Sequence, residues 1–283
     1  MESLSSTHFP FHDKTQLLPI ESAQQLTNQP FRSLIGCIMY IMVCTRPDMT
    51  VPVSLLGQFT ANPGSQHWAA AKRVVRYLKG TTDLSLAFQP SSDFQPSNMI
   101  TAYSDSDWGK DPTDRKSFSG YVLFVGSALI SWKCRKQTAV ALSTAEAEYM
   151  ALALIATEVI WMRNLLSEIG FTQQGPSIIH CYNRAAIHMA TNDVIGPKSK
   201  HISIKFHFIK QAIANEEILL KCVPTNDNLA DFMTKPLTGQ KFLKFRDALN
   251  LQRTPGLLSN STSWRSERFM MLISSLLSLS LSS

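Results

Sequence analysis

The sequence has few charged residues and few cysteines, and it has no long uninterrupted hydrophobic run. Charged residues are 17% of the 283 positions, whereas hydrophobic residues are 44%. This balance excludes a solvated disordered polymer for most of the chain. The five cysteines are an odd number and none lies in a C-x-x-C pair. A disulfide framework and a zinc ribbon are therefore both excluded.

No secretory or membrane-spanning segment is predicted. Residues 1–14 have no basic stretch followed by an apolar run, so they do not resemble a signal peptide. The most apolar stretch, from Phe269 to Leu281, is shorter than the roughly 20 residues that cross a bilayer and is interrupted by serines. We therefore expect a reduced, intracellular protein, cytoplasmic or nuclear, without a membrane partner.

Positive charge is in surplus. Lys and Arg total 27 against 21 Asp and Glu, which gives a net charge of +6 and favours a polyanionic partner. Two basic segments are candidates for contact with phosphates, one on a predicted helix over residues 65–79 and one in a predicted loop. They comprise Lys72, Arg73, Arg76 and Lys79 on the helix, and Lys198, Lys200 and His201 in the loop. The alternative for the helix is an ordinary solvated face.

Composition and periodicity divide the chain into six segments. They are an extended lead-in (1–30), a small helical region (31–88), a linker (89–98), an α/β domain (99–237), a terminal helix (238–252) and an unstructured tail (253–283). The α/β domain alternates strand-like and helix-like patterns, with strands predicted near residues 100–104, 118–125, 128–133, 137–142, 177–182 and 218–223. This order predicts a mixed sheet with helices on its faces.

One acidic residue lies on the apolar stripe of the long helix predicted from about residue 144 to 169. The stripe advances in steps of three and four residues and consists of Leu152, Ile155, Val159, Met162 and Leu166. One turn earlier, the same stripe reaches Glu148. A carboxylate on a buried stripe needs a partner, since burying it alone costs several kcal/mol. We therefore expect Glu148 to face the sheet.

Other carboxylates lie where strands end and helices begin. Asp105 and Asp107 end the first strand, and Asp231 lies in the last predicted helix. Together with Glu148 they could form an oxygen-rich site for Mg²⁺. The alternative is that these three aspartates are ordinary surface acids, and spacing alone does not separate the two interpretations.

Several segments resemble one known family. YSDSDWGK, ALSTAEAEYMAL, IHCYNRAAIHMATN, KSKHISIKFHFIKQ and VPTNDNLADFMTKPL are similar to the ribonuclease H domain of copia-type LTR-retrotransposon Pol polyproteins. CTRPDMTVPVSLLGQFTANPG is similar to the thumb or connection region that follows the reverse transcriptase palm. No Y-x-D-D polymerase motif is present, so the resemblance is to the C-terminal part of Pol. It implies a ribonuclease H-like five-stranded mixed sheet flanked by helices.

The resemblance also implies a reaction and a ligand set. Such domains hydrolyse the RNA strand of an RNA–DNA hybrid with two divalent ions, Mg²⁺ or Mn²⁺, held by four carboxylates. Asp105, Glu148 and Asp231 match three of these positions. The third position in chain order is an aspartate in the family, but here the motif reads Cys-Tyr-Asn and Tyr182 takes its place. Asp107 matches a recurrent family residue that is not a metal ligand.

Two functional hypotheses follow. The first is a retrotransposon-derived domain that binds RNA–DNA hybrid or duplex, with hydrolysis impaired by Tyr182 and metal binding weakened or lost. Its further partner would be a reverse transcriptase palm and fingers segment. The alternative is a non-catalytic nucleic-acid-binding or structural relic of a decayed or co-opted element. The sequence leaves open whether the chain is an enzyme.

Overall fold

The computed structural model describes residues 6–12, 17–20, 29–88, 99–192 and 203–253. The chain divides into two compact units. The first comprises Met1–Leu86, Pro236–Asp247 and Leu251–Ser283, and the second comprises Ala87–Lys235 and Ala248–Asn250. The predicted linker and nearly all of the predicted tail lie outside the described residues.

The described residues form α-helices, strands and short 3₁₀ turns. The helices are α1 (Phe31–Cys44), α2 (Thr50–Gly57), α3 (Ser65–Lys79), α4 (Thr144–Glu168), α5 (Arg184–Thr191), α6 (Ser203–Ala214) and α7 (Gly239–Ala248). The strands are β1 (Leu84–Leu86), β2 (Ile100–Ser106), β3 (Phe118–Val125), β4 (Ala128–Lys136), β5 (Ser177–Cys181), β6 (Ile218–Cys222) and β7 (Leu251–Arg253). The 3₁₀ turns are Pro47–Met49, Thr225–Asp227 and Leu229–Met233.

The first unit is built from the predicted helical region, whose helices bury their apolar faces. α1 buries the side chains spaced three and four apart along it, namely Phe31, Leu34, Ile35, Ile38 and Met42. α3 begins and ends where the sequence predicts. A two-stranded antiparallel sheet of β1 and β7 also belongs to this unit. The sequence gives no indication of this sheet, because three-residue strands are too short to show a period.

The second unit contains the predicted mixed five-stranded sheet flanked by helices, which is confirmed. The strand order is β4-β3-β2-β5-β6. β2 lies at the centre, antiparallel to β3 and parallel to β5. The β3–β4 hairpin turns through Gly126 and Ser127, and Gly126 has the positive φ (61°) that such a two-residue turn requires.

One predicted strand is wrong. Residues 137–142 form no strand, and β4 instead continues to Lys136. The alternation that suggested a strand comes from Val140 and Leu142, which are exposed and face no partner strand. Gln137 is buried and donates from its side-chain amide to the Ser119 hydroxyl and the Ala147 carbonyl, both at 2.9 Å. The segment therefore joins the sheet to α4 through side-chain hydrogen bonds.

α4 is the long helix of this unit and supplies more of its buried core residues than any other described element. Ser143 caps it by accepting a hydrogen bond from the Glu146 amide. By length and composition α4 could cross a bilayer, and it is the only helix among the described residues that is long and apolar enough. Its stripe from Leu152 to Leu166 is buried in the core of the second unit. The apolar character of α4 is thus explained by packing within this unit.

Candidate functional site

The acidic residues predicted from the sequence meet at the end of β2. Asp105 is the next-to-last residue of this central strand and is fully buried. Glu148, in the second turn of α4, is also buried, and its Oε1 accepts a hydrogen bond of 3.1 Å from the Ser106 amide. The helical stripe and the strand end thus bring these two carboxyls together, and the charge of Asp105 acts on Glu148.

Asp231 reaches the same place from the 3₁₀ turn Leu229–Met233. Asn228 caps this turn by accepting a hydrogen bond from the Ala230 amide, and its own side-chain amide donates to the Ser104 carbonyl at 2.9 Å. The turn also lies close to β3 at Gly120, the residue that pairs with Asp105 in the sheet. A Cβ at Gly120 would lie 2.6 Å from the Cβ of Met233, so only glycine permits this approach.

A lysine completes the cluster. The Lys235 ammonium lies 2.5 Å from Asp231 Oδ1 and 3.4 Å from Asp105 Oδ2. The Thr234 hydroxyl donates a very short hydrogen bond to the same Asp105 oxygen. The second Asp105 oxygen, Oδ1, is buried and has no hydrogen-bond partner among the residues that the structure describes. The cluster therefore contains one cation between two buried carboxylates.

Tyr182 follows β5 and closes another side of the cluster. Its hydroxyl lies close enough to Glu148 and Asp105 for both acids to act on it electrostatically. Its ring centroid lies 5.9 Å from the Lys235 ammonium, within the range of a cation–π contact. Burial, together with the neighbouring acids Glu148 and Asp105, raises the pKa of Tyr182 well above its ordinary value. The phenol is therefore neutral at pH 7.

Burial dominates the electrostatics of the acids. Burial and then the charge of Asp105 raise the pKa of Glu148 to about 9, so this carboxyl is protonated at neutral pH. Burial also raises the pKa of Asp105, and the adjacent Lys235 ammonium opposes that rise. The negative charge of the cluster is consequently smaller than its count of carboxyls suggests.

Asp107 forms hydrogen bonds with the backbone of Phe118. It is buried, and its Oδ1 accepts a hydrogen bond of 2.6 Å from the Phe118 amide, where β3 begins. The Asp107 amide donates in return to the Phe118 carbonyl at 3.1 Å. Burial raises the pKa of Asp107 to about 6. These bonds close the ladder between the ends of two strands.

The arrangement does not fit a centre of two divalent ions. Within the described residues, no three His, Cys, Asp or Glu side chains converge as a group of metal ligands. Glu148 accepts a hydrogen bond from the Ser106 amide, and Lys235 lies between the other two carboxylates. One feature does suit a cation, the unpaired buried oxygen of Asp105. The predicted ligands Asp105, Glu148 and Asp231 are brought together, but around an ammonium group.

The predicted basic residues fall into two groups. On α3, in the first unit, Lys72, Arg73 and Arg76 are half-buried and Lys79 is exposed. Burial and then the charge of Arg76 lower the pKa of Arg73, as expected for neighbouring cations. The second group, Lys198, Lys200 and His201, lies outside the described residues.

Sequence reasoning missed the residues that support the acids. They are Gly120, Cys181, Asn228, Thr234 and Lys235. Only Lys235 carries a local signal, because it follows Asp231 by four residues, a spacing that favours an ion pair. Cys181, whose thiol lies 4.0 Å from Glu148 Oε2, carries no such signal.

The curated relatives of this chain include proteins of different kinds. The chain is 35% identical over 235 residues to the retrovirus-related Pol polyprotein from transposon TNT 1-94 of Nicotiana tabacum, and the match covers 83% of this chain. It is 42% identical over 137 residues to the secreted RxLR effector protein 161 of Plasmopara viticola, which covers 48% of this chain and 94% of that protein. The chain spans about one sixth of the Pol polyproteins that it matches, 17% for TNT 1-94.

Solved structures resemble the chain only at low sequence identity. LC11-RNase H1, solved in complex with RNA/DNA hybrid, matches with a TM-score of 0.37 and 13% identity, over 48% of this chain and 93% of that one. No family model matches the chain.

Proposed function

Because the chain belongs to the retrovirus-related Pol polyproteins of copia-type transposons, we propose that its second unit is a ribonuclease H-like domain that binds RNA–DNA hybrid but hydrolyses the RNA strand poorly or not at all. The fold and the family support the coarse assignment. The proposal adds that the ligand is an RNA–DNA hybrid and that hydrolysis of the RNA strand is lost or weak.

The observation that carries the proposal is the meeting of Asp105, Glu148 and Asp231 at one end of the central strand. Three buried acids at one point have a high desolvation cost, and such costs are characteristic of functional sites. In the family these positions hold divalent ions, which act on the phosphodiester of the RNA strand. The retained acids support descent from such a site.

One departure supports impaired hydrolysis. Tyr182 stands where the family has an aspartate, and a neutral phenol contributes no charge to hold a metal ion. Hydrolysis through a pair of ions would have to proceed with three carboxylates in place of four.

Basic residues outside the cluster are proposed to bind the nucleic-acid backbone. Lys72, Arg73, Arg76 and Lys79 on α3, together with Lys198, Lys200 and His201, would neutralise phosphates without reading sequence. A reverse transcriptase palm and fingers segment is a further proposed partner, since it belongs to the same type of polyprotein.

Fluorescence anisotropy with a labelled RNA–DNA hybrid tests binding. We expect affinity that is independent of sequence, unchanged by EDTA, and weaker by at least about tenfold at 200 mM than at 50 mM salt. Gel electrophoresis of the same hybrid tests hydrolysis, with little or no RNA cleavage expected in Mg²⁺ or Mn²⁺. Affinity that does not change with salt would contradict the proposed backbone contact.

The alternative is a purely non-catalytic binding or structural relic, and the neutral Tyr182 phenol at the position of the third carboxylate favours it. A divalent-ion titration separates the two candidates. A weakened nuclease should release some RNA product as Mn²⁺ is added, and a variant carrying Glu148→Gln should release none. A relic should give no product at any Mn²⁺ concentration while still binding hybrid.

A further inference from the structure

The five-stranded sheet has a second face, opposite α4, that carries aromatic side chains. Successive residues of a strand point to opposite faces of a sheet. Ala102 of β2 and Ile179 of β5 are fully buried in the core that α4 helps to form. Their neighbours Tyr103 and His180 therefore point away from α4, and both of these side chains are partly exposed.

The register of the sheet places these side chains next to each other. Tyr103 pairs with His180 between β2 and β5, and His180 pairs with Lys221 of β6. The rings of Tyr103 and His180 are stacked, with their centroids 4.6 Å apart and an interplanar angle of 22°. The Phe124 ring of β3 meets the Tyr103 ring edge to face at 6.3 Å. We call this set, which crosses four neighbouring strands, the aromatic row: Phe124, Tyr103, His180 and Lys221.

The charges at the aromatic row suit a ligand with flat rings and a negative backbone. Burial and then the charge of Lys221 lower the pKa of His180, so its imidazole is an uncharged ring at pH 7. Lys221 is exposed and can contact a phosphate. The charge of Asp227 acts on Tyr103, so a phosphate is better placed at the Lys221 end of the row.

We propose that the aromatic row binds single-stranded nucleic acid, with bases stacked on the rings of Tyr103 and His180 and a phosphate at Lys221. Stacking on aromatic side chains tolerates any sequence because every base has a π-face, and a nearby cation holds the backbone. Leu219, which is 42% exposed and lies on the same face of β6, adds apolar surface beside Lys221. A duplex keeps its bases paired and stacked, so it does not offer them to the row.

The aromatic row is continuous with the acid cluster. Asp105 lies two residues after Tyr103 in β2 and therefore points to the same face of the sheet. A strand bound on the row would lead towards the end of β2 where the acids meet. The inference goes beyond the proposed function, because its ligand is a single strand and its contacts are on the sheet face.

Fluorescence anisotropy with a labelled oligothymidylate of about 12 nucleotides, in EDTA, tests the proposal on the full chain. Tyr103→Leu and His180→Leu each remove a ring without changing the net charge at pH 7, and each should weaken binding roughly 5- to 100-fold. Tyr103→Phe keeps the ring and should bind like the unaltered chain. The matched control is Trp161→Leu, which removes a 55% exposed aromatic side chain from α4 and should also leave affinity unchanged. Equal affinity in the unaltered chain and the Tyr103→Leu variant would overturn the proposal.

Photocrosslinking of the unaltered chain provides a second test that needs no variant to fold. A single strand that carries 5-iodouracil should crosslink to peptides containing Tyr103 or His180, as read by mass spectrometry. Crosslinks found only in other peptides would overturn the proposal. A second copy of the chain is the competing occupant of this face, and a dimer in light scattering that Tyr103→Leu dissociates would also overturn it.

The two proposals fail separately. Tyr103→Leu should leave the affinity for RNA–DNA hybrid unchanged, because the hybrid does not offer unstacked bases to the aromatic row. A chain that binds the single strand through this row but does not bind hybrid contradicts only the proposed function. A chain that binds hybrid but not the single strand contradicts only the role of the aromatic row.

Discussion

Asn228 donates a hydrogen bond of 2.9 Å from its side-chain amide to the carbonyl of Ser104, across 124 positions in the chain. Ser104 directly precedes Asp105 in β2, and Asn228 begins the turn that carries Asp231. Both residues are fully buried. This one bond therefore connects the backbone beside one acid with the turn that presents the other.

Asn228→Ala should destabilise the second unit by about 1 to 3 kcal/mol. The substitution leaves the buried Ser104 carbonyl without its donor and also removes the cap of the 3₁₀ turn. Urea denaturation, followed by circular dichroism, measures the change. Asn215→Ala, at an exposed asparagine, is the control and should change stability by less than about 0.5 kcal/mol. Similar values for the two variants would contradict a linking role for Asn228.

Gly120→Ala should displace the turn that carries Asp231. The new Cβ would lie 2.6 Å from the Met233 Cβ and 2.7 Å from the Thr234 Cγ2, so the turn must move away from β3. We expect a loss of about 1 to 3 kcal/mol in unfolding free energy. Gly175→Ala serves as the control, since nothing lies within 4 Å of its added Cβ. If the Gly120→Ala variant is as stable as the control, the turn can move away from β3 without loss of unfolding free energy, which would contradict this prediction.

Stability should fall as pH rises from about 4.5 to about 9. Burial and the Asp105 charge raise the pKa of Glu148 to about 9 from an ordinary 4.5, so over this interval the folded state holds a proton that the unfolded state releases. The stabilisation is complete below pH 4.5 and is lost as pH approaches 9, with a slope of at most about 1.4 kcal/mol per pH unit. Chemical denaturation in EDTA at several pH values measures it.

Glu148→Gln should remove most of that slope, because an amide does not titrate. Glu168→Gln, at an exposed glutamate at the end of the same helix, should leave the slope as it is. Asp107, whose pKa is raised to about 6, contributes a smaller decline below neutrality in all three proteins. A full slope in the Glu148→Gln variant would show that another group causes it.

Replacing Lys72, Arg76 and Lys79 on α3 together with glutamine should weaken hybrid binding at low salt. Each lost phosphate contact should lower the slope of log affinity against log salt by about one unit. Anisotropy titrations at several salt concentrations give this slope. The control is glutamine at Lys241 and Lys244, which removes charge from α7 in the same unit. An unchanged slope in the α3 variant would identify its basic face as merely solvated.

The fold was predictable where periodicity is long. α4 shows about five turns of regular stripe from Glu148 to Leu166, and β3 shows eight strand-like residues, so both were found within a residue or two. A strand was wrongly predicted over residues 137–142, because apolar residues alternate there without being buried. β1 and β7 are too short for any pattern, and their pairing depends on positions far apart in the chain.

The site was predictable only in part. Glu148 was found because a charge on a buried stripe contradicts the pattern around it. Asp105 and Asp231 came from strand ends and from family resemblance. Gly120, Asn228 and Thr234 act through contacts made after distant elements pack, and such contacts leave no trace in local sequence. Their partners are more than 100 positions away along the chain.

Tyr182→Asp should increase Mn²⁺-dependent cleavage of an RNA–DNA hybrid by at least about tenfold, the minimum that loss of a supporting residue commonly costs at metal sites. The change supplies the carboxylate that the family has at this position and removes a neutral phenol from beside Glu148. Cleavage is measured on a labelled RNA strand by gel electrophoresis. Tyr149→Phe, which also removes a phenol hydroxyl buried on α4, is the control and should leave cleavage unchanged.

The gain from Tyr182→Asp should depend on Lys235 in a specific way. A new carboxylate beside an ammonium can form an ion pair with it, which would leave the site closed to metal. Combining Tyr182→Asp with Lys235→Met should therefore cleave faster than Tyr182→Asp alone, and adding Glu148→Gln should abolish cleavage in both. If the unaltered chain already cleaves hybrid at the rate of the Tyr182→Asp variant, Tyr182 does not impair hydrolysis. The carboxylates present would then suffice without a fourth.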